Sequence, residues 1–152
     1  MDNDTISIQR DGEVYIVHIA RPDAKNAVDP PTARRLYEAF VAFDKCGQSR
    51  VAVLAGTGGA FCSGFDLKAL AGGAAAGWLD ELHFGKDGRP PLGPMGPTRM
   101  ALSKPVIAAI AGPAVAGGME LAAWCDLRVM EQDAYMGVFC RRFGVPLIDG
   151  GT

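Results

Sequence analysis

Two short apolar runs, residues 51–55 and 106–110, each feed a glycine-rich turn, and each turn leads into a segment with helical apolar spacing. The first stretch reads VAVLAGTGGAFCSGFDLKAL and the second PVIAAIAGPAVAGGMELAAWCD. Apolar runs of this length, bounded by glycine and proline, fit buried strands. A strand that passes through glycine into a helix, twice over, places the chain in the α/β class. That pattern alone leaves several α/β folds open.

The rest of the chain fills in around this pair. TISIQ at 5–9 and VYIVHI at 14–19 alternate apolar and polar residues around Asp11-Gly12, a hairpin signal. RPDAKNAVDPP at 21–31 is a loop. Thr32 opens a helix carrying Ala33, Leu36, Phe40 and Phe43 on one face, and Gly47 stops it. Residues 66–76 read as a helix with Asp66 near its start. The Gly- and Pro-rich stretch 85–97 reads as a mobile loop, and Met100 to Ser103 as the end of a short helix. A helix over 119–124 and strands at 127–130 and 135–138 follow. The length suits one domain over 1–152.

Composition excludes several roles. The net charge is −2, with 15 basic and 17 acidic residues spread along the chain and no basic block, which argues against nucleic acid as a partner. MDNDTISIQRDG carries no signal or transit pattern. The longest apolar stretch, 106–116, is too short to span a membrane and is broken by Gly112 and Pro113. The expected location is therefore the cytoplasm. Cys46, Cys62, Cys125 and Cys140 form no CxxC pair, so no metal site is expected.

A helix N-terminus offers unpaired N–H groups and partial positive charge, and glycine lets a ligand approach that backbone. Two such N-termini aimed at one point would hold a developing oxyanion. The same glycines also suit ordinary strand–helix turns. Neither turn is a phosphate loop: there is no GxxxxGK[ST], and no GxGxxG with its downstream acid.

In order and context the two turns resemble the signature segments of the crotonase (enoyl-CoA hydratase/isomerase) family. AFCSGFDLKAL is similar to its first oxyanion segment and AIAGPAVAGGMELAAWCDLRV to its second. RPDAKNAV resembles its CoA-contacting loop, and FGVPLIDGGT the segment after the second catalytic position. The resemblance implies the ClpP-like crotonase spiral of repeated β-β-α units, with an acyl-CoA thioester as substrate and no separate cofactor. It assigns the oxyanion hole to the backbone N–H groups of Phe65 and Gly117, and acid/base work to Glu120. A glutamate in a helix's first turn is also a plain dipole partner. Lys25, Asn26 and Ala27 would lie along the CoA, and Asp66 and Leu67 near its adenine end. Phe61 and Ser63 would complete the substrate contacts. Gly117 and Gly118 would leave room for the acyl group, which a β-carbon would crowd.

One position departs from the family pattern. In two-acid hydratases the segment after MG carries a second glutamate, whereas MGVFCRRFGVP places Cys140 there. A thiol is able to donate a proton, but a buried cysteine is commonly a small inert apolar residue. Hydration of a 2-trans-enoyl-CoA, single-carboxylate isomerisation or thioester hydrolysis, and a non-catalytic CoA-binding or assembly module all stay open. Asp149 before Gly150-Gly151 reads as a turn or cap residue. Arg141 and Arg142 read as structural or surface charges. Trp78, His83 and Phe84 are expected near the acyl pocket. The resemblance also implies that the C-terminal helices lie outside this sequence, and that a full-length chain forms a homotrimer or a dimer of trimers.

Overall fold

The computed structural model describes residues 4–150. Gly151 and Thr152, the end of the FGVPLIDGGT segment, lie outside the described residues, as do Met1 to Asn3 at the start of the chain.

β1 (Ile6–Asp11) and β2 (Val14–Ile19) form the expected hairpin, with Ile6 opposite Ile19 and Asp11 opposite Val14. Gly12 turns the chain at φ +55°. Tyr15, Val17 and Ile19 of β2 point into the core. β3 (Val51–Gly56) lies parallel to β2, β4 (Val106–Ile110) parallel to β3, and β6 (Leu127–Met130) parallel to β4. The five-stranded sheet therefore runs β1-β2-β3-β4-β6. β5 (Pro113–Val115) pairs in parallel with β7 (Tyr135–Gly137) as a second, small sheet. β5 lies inside what reads from sequence as a glycine turn. Three residues carry too little periodicity to be seen.

α1 spans Pro30–Lys45 and begins two residues before Thr32. Asp29 is its cap and accepts from Thr32 N–H at 2.9 Å and Thr32 Oγ1 at 2.6 Å. Pro30 and Pro31 occupy the first turn, where a missing N–H costs nothing. Ala33, Leu36, Ala39, Phe40 and Phe43 bury one face against the sheet. Phe40 sits edge-on to Trp124 and Phe43, and Phe43 tilts against Tyr15. The far end of α1 is closed by Lys104, whose Nζ donates to the carbonyls of Phe43, Cys46 and Ser49 at 2.6, 2.8 and 3.0 Å. A cation at a helix C-terminus satisfies its orphan carbonyls and its dipole together.

The crossover from β3 to β4 differs from the sequence reading. The helix expected over 66–76 stops early: α2 is Leu67–Ala71, and Gly73 at φ +74° ends it. α3 (Trp78–Glu81) is a separate turn. The stretch expected to be a mobile loop is packed from residue 92 onward, with Leu92, Met95 and Pro97 buried. Gly93 and Gly96 exchange amide bonds at 2.9 Å, Tyr37 Oη donates to Pro90 O at 2.9 Å, and Trp78 Nε1 donates to Pro94 O at 3.2 Å. Its carbonyls are thus satisfied by aromatic side chains remote in sequence. The helical turn near Met100 covers Pro97–Arg99, ahead of the expected position.

α4 (Gly117–Trp124) follows β5, and Cys140–Phe143 forms a final 3₁₀ turn. β7 stops at Gly137, one residue short of the expected strand. Among the described residues no helix is long and apolar enough to cross a membrane.

Phe40 is fully buried and joins α1 to Trp124. Phe40→Ala is expected to lower stability by about 3–5 kcal/mol, seen as a lower urea midpoint at unchanged slope.

Candidate active site

The site begins with an isolated piece of parallel pairing. Val28 N–H donates to Gly64 O, and Asp66 N–H donates to Val28 O, both at 2.9 Å. Those bonds flank Phe65, so its own N–H is directed to the opposite side, and no acceptor for it is found among the described residues. Arg21 fixes this pairing from below. Its guanidinium meets Asp66 at 2.9 Å and Asp29 at 3.1 Å and donates to Ala27 O. Asp66 also caps α2, accepting from the Lys68 and Ala69 amides at 2.9 and 3.3 Å. Burial raises its pKa, but the hydrogen bond from Arg21 and those two amides outweigh it and hold the carboxyl below its ordinary value.

The second turn is anchored against the first. Cys62 N–H donates to Pro113 O at 3.1 Å, and Val115 N–H donates to Cys62 O at 3.0 Å. Ala116 holds φ +52°, ψ −128°, with its N–H on Gly137 O at 2.8 Å. This unusual backbone turns the chain into α4, whose first amide, at Gly117, also lacks an acceptor among the described residues. The turns touch: a β-carbon on Gly64 would lie 3.0 Å from Ala116 Cβ and 3.1 Å from Gly117 N. The glycines of α4 serve this packing. A β-carbon on Gly118 would fall 2.2 Å from Cys62 O, and one on Gly117 would fall 3.0 Å from Met95 Sδ. At both positions a β-carbon would meet the protein's own atoms.

Both open amides belong to the wall of one cavity of about 900 Å³. Lys25, Ala27, Ser63, Asp66 and Leu67 line one part of it, and Phe65, Gly117, Glu120 and Cys140 another. Three residues expected at the substrate lie off this wall. Asn26 is fully buried, and its amide is consumed by Arg21 N–H at 3.0 Å and by the carbonyls of Thr57 and Ala60, each at 2.8 Å. It braces the loop, at φ +56°, with its side-chain amide engaged on both sides. Phe61 packs in the core, and Gly118 is sealed under Cys62. Trp78, His83 and Phe84 are also off the wall. Leu70, Ala75 and Leu79 supply its apolar surface from the same region. Arg141 and Arg142 are exposed, and Arg142 stacks on Phe139.

Glu120 is 1% exposed on the first turn of α4, where Oε1 accepts the N–H groups of Asp149 and Gly150, both at 3.1 Å. It is held from a remote segment, beyond what a dipole partner needs. Cys140 is buried at the start of its 3₁₀ turn. Asp149 is the residue that sequence reasoning set aside. It is 4% exposed and on the cavity wall, and its Oδ1 accepts from Met95 N–H at 2.8 Å and Thr98 Oγ1 at 2.6 Å. Burial pushes its carboxyl up to about 6, helped by the charge of Glu120 and opposed by the bonds from Thr98 and Met95. An Asp before two glycines gives no local sign of this, because its partners lie about fifty positions earlier. Arg21 was likewise invisible as a clamp.

The comparisons with known proteins identify the family that shares this parallel-stranded core. The enoyl-CoA hydratase/isomerase family model matches residues 9–150. Enoyl-CoA hydratase EchA19 of Mycobacterium tuberculosis is 36% identical over 138 residues, covering 86% of this chain and 48% of that protein. (E)-benzylidenesuccinyl-CoA hydratase of Thauera aromatica is 36% identical over 137 residues, covering 88% and 49%. The crystal structure of enoyl-CoA hydratase EchA1 from Mycobacterium marinum superposes with a TM-score of 0.79 at 34% identity, covering 96% of this chain and 53% of that one. The chain belongs to the enoyl-CoA hydratase/isomerase (crotonase) family and has its fold. It spans about half the length of the curated relatives it matches.

Gly118→Ala forces the Cys62 carbonyl away and should cost about 1–3 kcal/mol or more, read as a lower unfolding midpoint. Asp149 gives a pH test. Its pKa rises from 3.8 to about 6 on folding, so the native state holds the proton more tightly. The contribution of this group to stability is therefore fully present below pH 3.8 and falls as pH rises to 6. Asp149→Asn should remove that fall, on the order of 2–3 kcal/mol, in denaturant titrations of both proteins at pH 4 and pH 7.

Proposed function

We propose that the protein processes an acyl-CoA, hydrating a 2-trans-enoyl-CoA to the 3-hydroxyacyl-CoA. The observation that carries this reading is the presence of two acceptor-free turn amides, at Phe65 and Gly117, and the buried Glu120 on one cavity wall. The amides would take the thioester oxygen and hold the enolate formed when water adds. Donors fixed in place stabilise that charge without reorganising. Glu120 binds the water and removes its proton as oxygen adds to C3. Its fixed carboxyl, held by Asp149 and Gly150 N–H, suits that general-base role. Lys25 would lie along the CoA phosphates, with Asp66 and Leu67 toward the adenine. The hydratase names of the relatives support the reaction class.

Cys140 favours a second reading. With no carboxylate at that position, the alternatives are a single-carboxylate isomerase or thioester hydrolase, or a CoA-binding or assembly module without catalysis. For the whole protein we take a cytoplasmic homotrimer or dimer of trimers. Exposed Leu127 and Val129 on edge strand β6 support further contacts there.

The test uses the full-length protein and crotonyl-CoA, whose hydration removes ultraviolet absorbance. Glu120→Gln should lower turnover roughly 10²–10⁴-fold. Unchanged turnover removes Glu120 from the mechanism, and binding of CoA without any hydration above buffer favours the module.

A further inference from the structure

We propose that Asp149 is the second carboxyl of this site, the group that delivers the proton to C2 of the thioester enolate in place of an acid at position 140. This rests on the enolate chemistry proposed above and deepens it.

Four observations carry the proposal. Asp149 is on the wall of the same cavity as Phe65, Gly117, Glu120 and Cys140. Its Oδ1 is engaged by two donors, Met95 N–H and Thr98 Oγ1, whereas Oδ2 has no partner among the described residues. An oxygen that already accepts two hydrogen bonds is a poor site for a proton, so the proton resides on Oδ2. The Asp149 N–H donates to Glu120 Oε1 at 3.1 Å, so the backbone of one carboxyl residue fixes the position of the other. Finally, the surroundings favour the neutral acid. The charged or titratable groups that face Asp149 are Glu120 on α4, Cys62 on the first turn, Cys140 on the 3₁₀ turn and Arg99 beside Thr98. The rise from burial and from Glu120 exceeds the opposing effect of Arg99 and the hydrogen bonds.

The step balances. Glu120 carboxylate takes a proton from water as the water oxygen bonds to C3, and the C2=C3 electron pair moves onto the thioester oxygen as an enolate. The enolate then collapses, and C2 takes the proton from Asp149 Oδ2. The site ends with Glu120 protonated and Asp149 ionised. Proton transfer between the two, directly or through solvent, restores the starting state.

The experiment compares wild type, Asp149→Asn and Cys140→Ala in the full-length protein. Asp149→Asn should lower crotonyl-CoA hydration roughly 10²–10⁴-fold and abolish the alkaline limb of the kcat/KM profile. CoA affinity should stay near wild type, and the thermal midpoint at pH 7 should be no lower than that of wild type. Cys140→Ala should lose far less activity than Asp149→Asn and keep the alkaline limb of the profile. Hydration by Asp149→Asn at the wild-type rate, or an equal loss in Cys140→Ala, overturns the proposal. A separate measurement distinguishes its failure from failure of the hydratase reading: exchange of C2 hydrogen of butyryl-CoA in D₂O, which requires the enolate alone. If wild type exchanges and Asp149→Asn does not, the acid role stands even where no hydration is found. If exchange is unchanged in the variant, or absent from wild type, the acid role falls.

Discussion

The structure depends on two strand-to-helix turns lying against each other as a short parallel pair. Cys62 sits between Pro113 and Val115, giving its N–H to one and taking the amide of the other. Gly118 fits beneath the Cys62 carbonyl with no room for a side-chain carbon. These contacts set the distance between two helix starts that belong to different crossovers of the sheet. They also place Phe65 and Gly117 on the wall of one cavity. Without that close approach, each turn would be an ordinary strand–helix connection with water on its N–H groups.

The site is organised by two arrangements of carboxyl groups that act in opposite directions. Asp66 and Asp29 share one guanidinium, that of Arg21, and cap α2 and α1. A cation and several N–H donors make Asp66 a permanent anion, fit for holding architecture. Asp149 has two donors but, among the described residues, no cation in contact with its carboxyl, and the neighbouring group is another acid. Burial then favours the neutral form, which is what proton transfer needs and a structural ion pair does not. The same residue type thus does two jobs, chosen by whether a guanidinium is within reach.

Position 140 shows why a motif is weaker evidence than a site. In the linear pattern, Cys140 is a lost acid. In space, it shares its wall with Asp149, nine positions on, and the carboxyl content of the cavity is kept. The segment expected to be a mobile loop follows the same logic. Met95 lies within it and Thr98 directly follows it, and these two residues hold Asp149. A Gly- and Pro-rich composition says that a segment avoids regular structure, not that it avoids the core.

The sequence by itself determined the hairpin, the α1 face, the parallel strands and the two glycine turns. Each of these is written in short-range periodicity and in glycine placement, which act on the backbone locally. The resemblance of those segments to the crotonase family named Phe65, Gly117 and Glu120 as candidates. What only the tertiary structure decided was which polar groups remain available once the chain is packed. Asn26 spends its amide on Thr57 and Ala60, and Gly118 spends its missing side chain on Cys62. Asp149, an apparent turn residue, is drawn inside beside Glu120. Those outcomes turn on partners some 29 to 56 positions away. Hydrogen-bond satisfaction and desolvation are properties of the folded interior, and no local pattern encodes them.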